Sequence, residues 1–223
     1  MELFDIWEKN YKSRRYNKYP YNDIISFILK HFGKEKDKSS IKILELGCGG
    51  GNNLMFLKNE GFDFYAIDIS DTSIKIVKNL LGKNFNKNKI LKGCFMEIPF
   101  QNNFFDAIID RASITCNETK DLPSIFNEIF RTLKSNGLFY SCTLFSDDHP
   151  ELKKAKKVEK NDFKYFENSI FSAASQIHGF NETEIKKLLK KFKLYELTKV
   201  EKKTIMKNKK KLVESTFNLE AIK

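Results

Sequence analysis

The sequence predicts a single α/β domain on a seven-stranded mixed sheet, parallel through five strands and finished at one edge by a C-terminal antiparallel hairpin. Three observations predict it. Apolar, β-type runs alternate with helical patterns from Ile41 to Phe145, an order that gives a parallel sheet covered by helices on both faces. The last two β-rich runs, Leu194 to Met206 and Leu212 to Ile222, are separated only by Lys207 to Lys211, too short a link for a crossover helix, so they pair antiparallel. The length of 223 residues suits one well-buried sheet and is short for two domains of ordinary size.

The elements follow in order. An aromatic, basic arm comes first, with Trp7, Tyr11, Arg14, Arg15, Tyr16, Tyr19, Pro20 and Tyr21. Asn22 to Phe32 reads as a helix capped by Asn22, its face made by Ile24, Ile25, Ile28, Leu29 and Phe32. After a Lys-rich loop, Ile41 to Leu46 is the first strand and Asn52 to Asn59 a helix. Phe62 to Ile69 is the second strand, and Asp71 to Leu81 a helix capped by Ser70. Ile90 to Cys94 and Phe105 to Asp110 are the third and fourth strands. A helix from Leu122 to Lys134, ended by Asn136-Gly137, leads to a fifth strand, Leu138 to Phe145. Ser146 to Phe180 is irregular and reads as a lid or substrate wall. Asn181 and Glu184 resemble a capping box before a helix from Ile185 to Phe192. The domain thus divides into an arm and helix (1–40), a core (41–145), a substrate-side insertion (146–180) and a C-terminal helix and hairpin (181–223).

The formal charge of +11 raises nucleic acid as a partner, since clustered cations bind phosphate backbones. Among the 40 Lys and Arg residues only Arg14, Arg15, Arg111 and Arg131 are arginines, whereas phosphate and base recognition favours the planar Arg fork. The lysines are scattered, and the denser runs, Lys153 to Lys157 and Lys207 to Lys211, read as solvated faces. Nucleic acid is therefore disfavoured. No apolar run reaches the roughly 18 residues that span a bilayer, and residues 1–10 lack a leader pattern. A cytoplasmic location is expected. Cys48, Cys94, Cys116 and Cys142 form no CxxC pair, which points to reduced thiols and to no metal site.

The strongest chemical signal is Ile43-Leu44-Glu45-Leu46-Gly47-Cys48-Gly49-Gly50-Gly51-Asn52-Asn53, a strand running into a glycine-rich turn and a helix. Glycines let the backbone turn tightly and approach a ligand that any Cβ would obstruct. The second strand carries one acid near its end, in Tyr65-Ala66-Ile67-Asp68-Ile69-Ser70, where a carboxylate can accept the ribose hydroxyls of an adenosine. The competing reading of Asp68 is an exposed helix-capping acid.

With Glu45 before it and its glycines spaced as here, the turn resembles motif I of the class I S-adenosylmethionine-dependent methyltransferases, E/D-x-G-x-G-x-G. Gly93-Cys94-Phe95-Met96-Glu97-Ile98-Pro99-Phe100 and Phe105-Asp106-Ala107-Ile108-Ile109-Asp110 are similar to the family's G-D-A-x-x-L-P-F and F-D-x-V-x segments, and Leu133-Lys134-Ser135-Asn136-Gly137 to L-K-P-G-G. Cys94 departs from the usual Asp, which removes a carboxylate from the adenine amino group. Ile6 to Tyr11 resembles the W-x-x-x-Y opening of bacterial small-molecule methyltransferases, whose arm closes over cofactor and acceptor.

The resemblance implies a Rossmann-like doubly wound fold that binds S-adenosylmethionine and releases S-adenosylhomocysteine. It implies cofactor contacts from Tyr11, Glu45, Gly47, Cys48, Gly49, Gly51, Asp68, Ile69, Cys94, Phe95, Met96, Asp110 and Arg111, with Phe95 equally readable as plain core. Trp7, Tyr19 and Arg111 are expected to touch the acceptor, a small polar molecule such as a sugar, sugar nucleotide or other metabolite. A hydroxyl or amine acceptor loses a proton, so a base can add roughly 10² to 10⁴-fold. His178, His149 and Asp110 are the candidates, with Asp147 and Asp148 as further carboxylates. The alternatives are an RNA or protein methyltransferase, a non-catalytic cofactor-binding module and an NAD-binding reductase.

Overall fold

The computed structural model describes residues 3–13, 16–166, 169, 171–172, 174, 176–205 and 211–223. Arg14 and Arg15 of the arm, and Met206 and Lys207 to Lys210 of the hairpin link, lie outside the described residues. The central sheet is built from β1 (Lys42–Leu46), β2 (Asp63–Asp68), β3 (Ile90–Lys92), β4 (Phe105–Arg111), β5 (Leu133–Phe145), and two strands of the C-terminal hairpin described below. These five run parallel, in the order β3-β2-β1-β4-β5. The insertion adds β6 (Lys156–Lys157), β7 (Asp162–Lys164) and β8 (Gln176–His178) as a separate antiparallel sheet. β9 (Leu194–Ile205) and β10 (Lys211–Ile222) complete the main sheet, β10 antiparallel to both β5 and β9. The seven-stranded mixed sheet with its terminal hairpin is the fold expected from the alternation of elements.

Helices α1 (Leu3–Lys12), α2 (Asn22–Phe32), α3 (Asn52–Glu60), α4 (Asp71–Leu81), α5 (Leu122–Thr132) and α6 (Glu182–Leu188) complete the fold. The strand period of two divides the core between the sheet's faces. Ile43 of β1 packs with Ile24 and Ile28 of α2, Leu54 of α3 and Val77 of α4. Leu44 and Leu46, from the same strand, pack on the other face with Ile125 and Ile129 of α5 and Ile185 of α6. Among the described residues, no helix is long and apolar enough to cross a membrane.

The first part of the aromatic arm is helical, Leu3–Lys12 forming α1. Three local expectations are corrected. Asn22 is the first residue of α2, and the cap position is Tyr21, with no side-chain cap bond. The helix expected to reach Lys134 stops at Thr132, because Leu133 already pairs with Phe105. The break at Asn136-Gly137 becomes an irregularity within β5, where Asn136 has φ +63°. Asn181 does cap α6, accepting from the Glu184 N–H at 3.0 Å, but α6 is Glu182–Leu188, and the Glu184 carboxylate turns to His178 instead of closing a capping box.

The insertion, expected to be irregular, has its own small core of Leu152, Phe166, Phe171 and Ile177, with Cys116 below and Trp7 against it. It therefore ties the N-terminal helix to the loop after β4.

Candidate active site

In a parallel sheet the strand ends converge on one edge, and ligands collect in the crevice beyond them. Here the ends of β1, β2 and β4 and the loop after β3 line a cavity of about 330 Å³, closed on its outer side by α1 and the segment leading to α2.

The glycine turn forms its floor. Gly47, Gly49 and Gly51 have φ of +69°, +52° and +79°, a region in which side chains are costly. A Cβ on Gly47 would lie 2.2 Å from Ser113 Oγ, one on Gly49 2.9 Å from Tyr11 Oη, and one on Gly50 2.3 Å from Tyr16 Cδ2. Gly51 faces Val77 and Leu80 rather than the cavity, where it starts α3 and lets α4 approach.

Two acids reach this floor. Asp68, at the end of β2, is buried; its Oδ2 accepts the Gly49 N–H and its Oδ1 the Ser70 N–H, both at 2.9 Å. Burial raises its pKa, and these bonds oppose the shift. It is not an exposed capping acid. Glu45 Oε1 accepts from Asn53 Nδ2 at 2.7 Å, and Asn53 Oδ1 takes the Tyr21 N–H at 3.0 Å. Glu45 Oε2 is buried and has no partner among the described residues. Burial pushes the Glu45 carboxyl up to about 8, against the pull of Asn53.

Cys94 and Phe95 form the β3 end of the cavity beside Ile69, and Cys94 is exposed there. At the β4 end stand Arg111, Ala112 and Ser113. Ala112 holds φ +58°, with its N–H donated to Cys142 O at 3.1 Å.

The outer wall is aromatic: Trp7 stacks on Tyr11, with ring centroids 6.1 Å apart, and Tyr11 lies 6.4 Å from Tyr16. Burial, with Asp68 nearby, raises the Tyr11 hydroxyl far above its ordinary pKa, so it stays protonated. One residue fastens this wall to the core. Glu8 of α1 accepts from Ser70 Oγ (2.6 Å), Thr72 N (3.0 Å) and Thr72 Oγ1 (2.5 Å) at the start of α4, where an anion also meets the helix dipole. Burial works against the Glu8 anion, but the Ser70 and Thr72 bonds hold its carboxyl down at about 2.

The structure thus brings together Trp7, Tyr11, Glu45, Gly47, Cys48, Gly49, Asp68, Ile69, Cys94, Phe95 and Arg111 of the expected set. Others lie elsewhere. Tyr19 is 78% exposed and Met96 42%, and neither lines the cavity; Tyr16 and Tyr21 do. Asp110 sits behind the wall, fully buried. Its Oδ1 accepts from Ser113 N and Ile114 N, and its Oδ2 from Ser141 Oγ, so it braces the turn after β4.

The base candidates are likewise displaced. His178 is fully buried in the insertion, with Nδ1 2.7 Å from Asp162 and Nε2 2.8 Å from Glu184. Both nitrogens are engaged, and the ring joins β7, β8 and α6. His149 starts a short 3-10 turn, its Nδ1 accepting from Glu151 N and its ring packed by Phe145 and Phe171. Asp148 is held by Ser215 and Lys199, and Asp147 lines a separate surface groove. None of the four lines the cavity.

Sequence reasoning missed Glu8, Asn10, Asn17, Asn52, Asn53, Ser113 and Asn117. The Asn52-Asn53 pair directly after the glycine turn was a usable signal. Among the described residues, no group of three or more His, Cys, Asp or Glu side chains could hold a metal ion.

Comparison with known proteins agrees with this geometry. Residues 44–141 match the family model described as a methyltransferase domain. The chain is 32% identical over 117 residues to the biotin biosynthesis bifunctional protein of Saccharophagus degradans, a match covering 51% of this chain and 20% of that one. Curated relatives of this kind are longer, and the chain spans 20% to 50% of their length. Among solved structures, a SAM-dependent methyltransferase from Methanosarcina mazei superposes with TM-score 0.65 at 19% identity, covering 92% of this chain and 98% of that one. A Burkholderia thailandensis 1,6-didemethyltoxoflavin-N1-methyltransferase with bound S-adenosylhomocysteine gives TM-score 0.66 at 15% identity, over 99% and 87%.

Proposed function

We propose, from the match of residues 44–141 to the methyltransferase domain, that the protein is a class I S-adenosylmethionine-dependent methyltransferase and transfers the methyl group to an O or N atom of a small polar acceptor. The observation that carries the reading is the pairing of a side-chain-free turn with two buried acids, Asp68 and Glu45, on the floor of one cavity.

The residues present fit the cofactor. Asp68 spends one bond on each oxygen and keeps lone pairs for ribose hydroxyls. Glu45 Oε2, buried and unsatisfied, suits the cationic amino-acid end, and a cation there would draw its carboxyl back to the ionised form. The turn glycines leave room that a Cβ would fill. Cys94 and Phe95 offer adenine an apolar end. When bound, the cofactor supplies an electrophilic methyl group on a sulfonium.

The chain's own part is placement and exclusion of water. Holding donor and acceptor in line supplies roughly 7 to 11 kcal/mol of barrier lowering without any covalent step. Trp7, Tyr11 and Tyr16 close the outer side and present π faces that favour a sulfonium. Asn10, Asn17 and Asn117 furnish neutral polar groups on the wall, suited to a sugar, a sugar nucleotide or another polar metabolite. His178, His149 and Asp110 do not supply a base to this cavity, since each is engaged or packed away from it.

The test is a transfer assay with S-adenosylmethionine carrying a deuterated methyl group and fractionated cell extract. The proposal expects the label on low-molecular-mass compounds; label confined to RNA or protein would refute the acceptor class.

A further inference from the structure

We propose that Arg111 is the acceptor-recognition residue of the cavity and that the acceptor carries an oxyanion, a carboxylate or phosphate group. This rests on reading the cavity as a methyl-transfer site. Arg111 ends β4, and β1 and β2 separate β4 from β3 in the sheet. It therefore stands on the β4 side of the cavity, two strands removed from β3. Its guanidinium carbon lies 3.9 Å from the centroid of the Tyr21 ring.

Among the described residues, Arg111 is the one cationic side chain on the wall, and its guanidinium makes no hydrogen bond or ion pair with them. Asp110, its neighbour in the chain, is taken up by Ser113, Ile114 and Ser141. The ring of Tyr21 holds the guanidinium in place while leaving its N–H fork without a carbonyl or carboxylate.

Asp110 feels the Arg111 charge without bonding it, and a half-buried guanidinium whose donor fork is left unfilled is a costly arrangement. An unpaired cation on this wall would also repel a sulfonium donor. An acceptor bearing an oxyanion removes both penalties: it fills the planar donor fork, which matches carboxylate and phosphate geometry, and it is attracted to the sulfonium. Arg111 thereby fixes the orientation of the acceptor in the cavity.

The experiment uses protein saturated with S-adenosylhomocysteine and three probes of similar shape: benzoate, phenyl phosphate and uncharged benzamide. Saturation-transfer NMR gives their affinities for wild type and for Arg111→Gln and Arg111→Lys. The proposal expects an anionic probe to bind wild type about tenfold or more tighter than benzamide, the scale of a charge-assisted hydrogen bond. That preference disappears in Arg111→Gln and survives in part in Arg111→Lys. Equal binding of the three probes by wild type, or a preference unchanged in Arg111→Gln, overturns it.

A second arm separates the two sources of an oxyanion. If Arg111→Gln weakens S-adenosylhomocysteine but not 5′-methylthioadenosine, which lacks the amino-acid end, the guanidinium serves the cofactor's own carboxylate and the acceptor assignment falls. Retained binding of 5′-methylthioadenosine also certifies the fold of the variant. Failure of wild type to bind S-adenosylhomocysteine at all would instead sink the methyl-transfer reading beneath the proposal.

Discussion

Gly47→Ala gives the sharpest test of how the floor of the cavity is built. The new Cβ would stand 2.2 Å from Ser113 Oγ and 2.5 Å from Ser113 Cβ, at φ +69°. The left-handed backbone costs about 1–2 kcal/mol for an alanine, and overpacking against a fixed neighbour adds about 1–3 kcal/mol. The expected loss in urea unfolding is thus about 2–5 kcal/mol. Gly61→Ala supplies the control, because its φ is +85° and its Cβ would meet nothing within 4 Å, leaving only the backbone cost. Removing the Ser113 side chain as well, in Gly47→Ala with Ser113→Gly, should restore the steric share, seen as a coupling energy in a double-mutant cycle. If Gly47→Ala costs no more than Gly61→Ala, or if Ser113→Gly restores nothing, the turn is not packed against the loop after β4 and this account of the floor is wrong.

Other predictions concern the parts around that floor. Glu8→Gln keeps the shape of the latch but removes its charge; affinity for S-adenosylhomocysteine should fall severalfold and protease cleavage within residues 3–21 should accelerate, and unchanged cleavage would mean that Glu8 does not hold α1 down. Burial lowers the His178 pKa, but Asp162 and Glu184 outweigh it and raise the value above 6.5. The stabilisation is therefore complete below about pH 6.5 and lost as pH rises through the folded value, with a slope of at most about 1.4 kcal/mol per pH unit. His178→Gln should flatten the stability profile above pH 6.5, and an equally steep profile in the variant would assign the dependence elsewhere. Ala112→Gly relieves a positive φ of +58° and should raise stability by about 0.5–1 kcal/mol after the entropy cost of glycine; a lower urea midpoint would show that Ala112 is unstrained.

The fold was legible because its signals are local. Ile43, Leu44 and Leu46 announce a strand covered on both faces, and the short link after Met206 compels a hairpin. Gly47, Gly49 and Asp68 were legible for the same reason, since a positive φ and a single acid at a strand end each leave a mark in a few residues. What failed depended on distant partners. His178 has the residue type of a base, yet Asp162 and Glu184 come to it from β7 and α6, a meeting that no spacing encodes. Tyr19 and Tyr21 are two residues apart in the same aromatic run, and the bonds from Asn52 and Asn53 to their backbone, with the seat of Arg111 on the Tyr21 ring, set which of them faces inward. Glu8 was invisible because its partners, Ser70 and Thr72, lie at the start of α4, far along the chain. The helix expected to reach Lys134 was cut short because pairing of Leu133 with Phe105 overrides a weak helical preference.

The central claim is that the glycine turn and Asp68 grip a sulfonium nucleoside, and calorimetric titration with S-adenosylhomocysteine tests it most directly. Wild type should bind saturably, one ligand per chain. Asp68→Asn should bind about fivefold to a hundredfold more weakly, matching about 1–3 kcal/mol for charge-assisted hydrogen bonds. No heat of binding in wild type, or equal affinity in the two proteins, would contradict it.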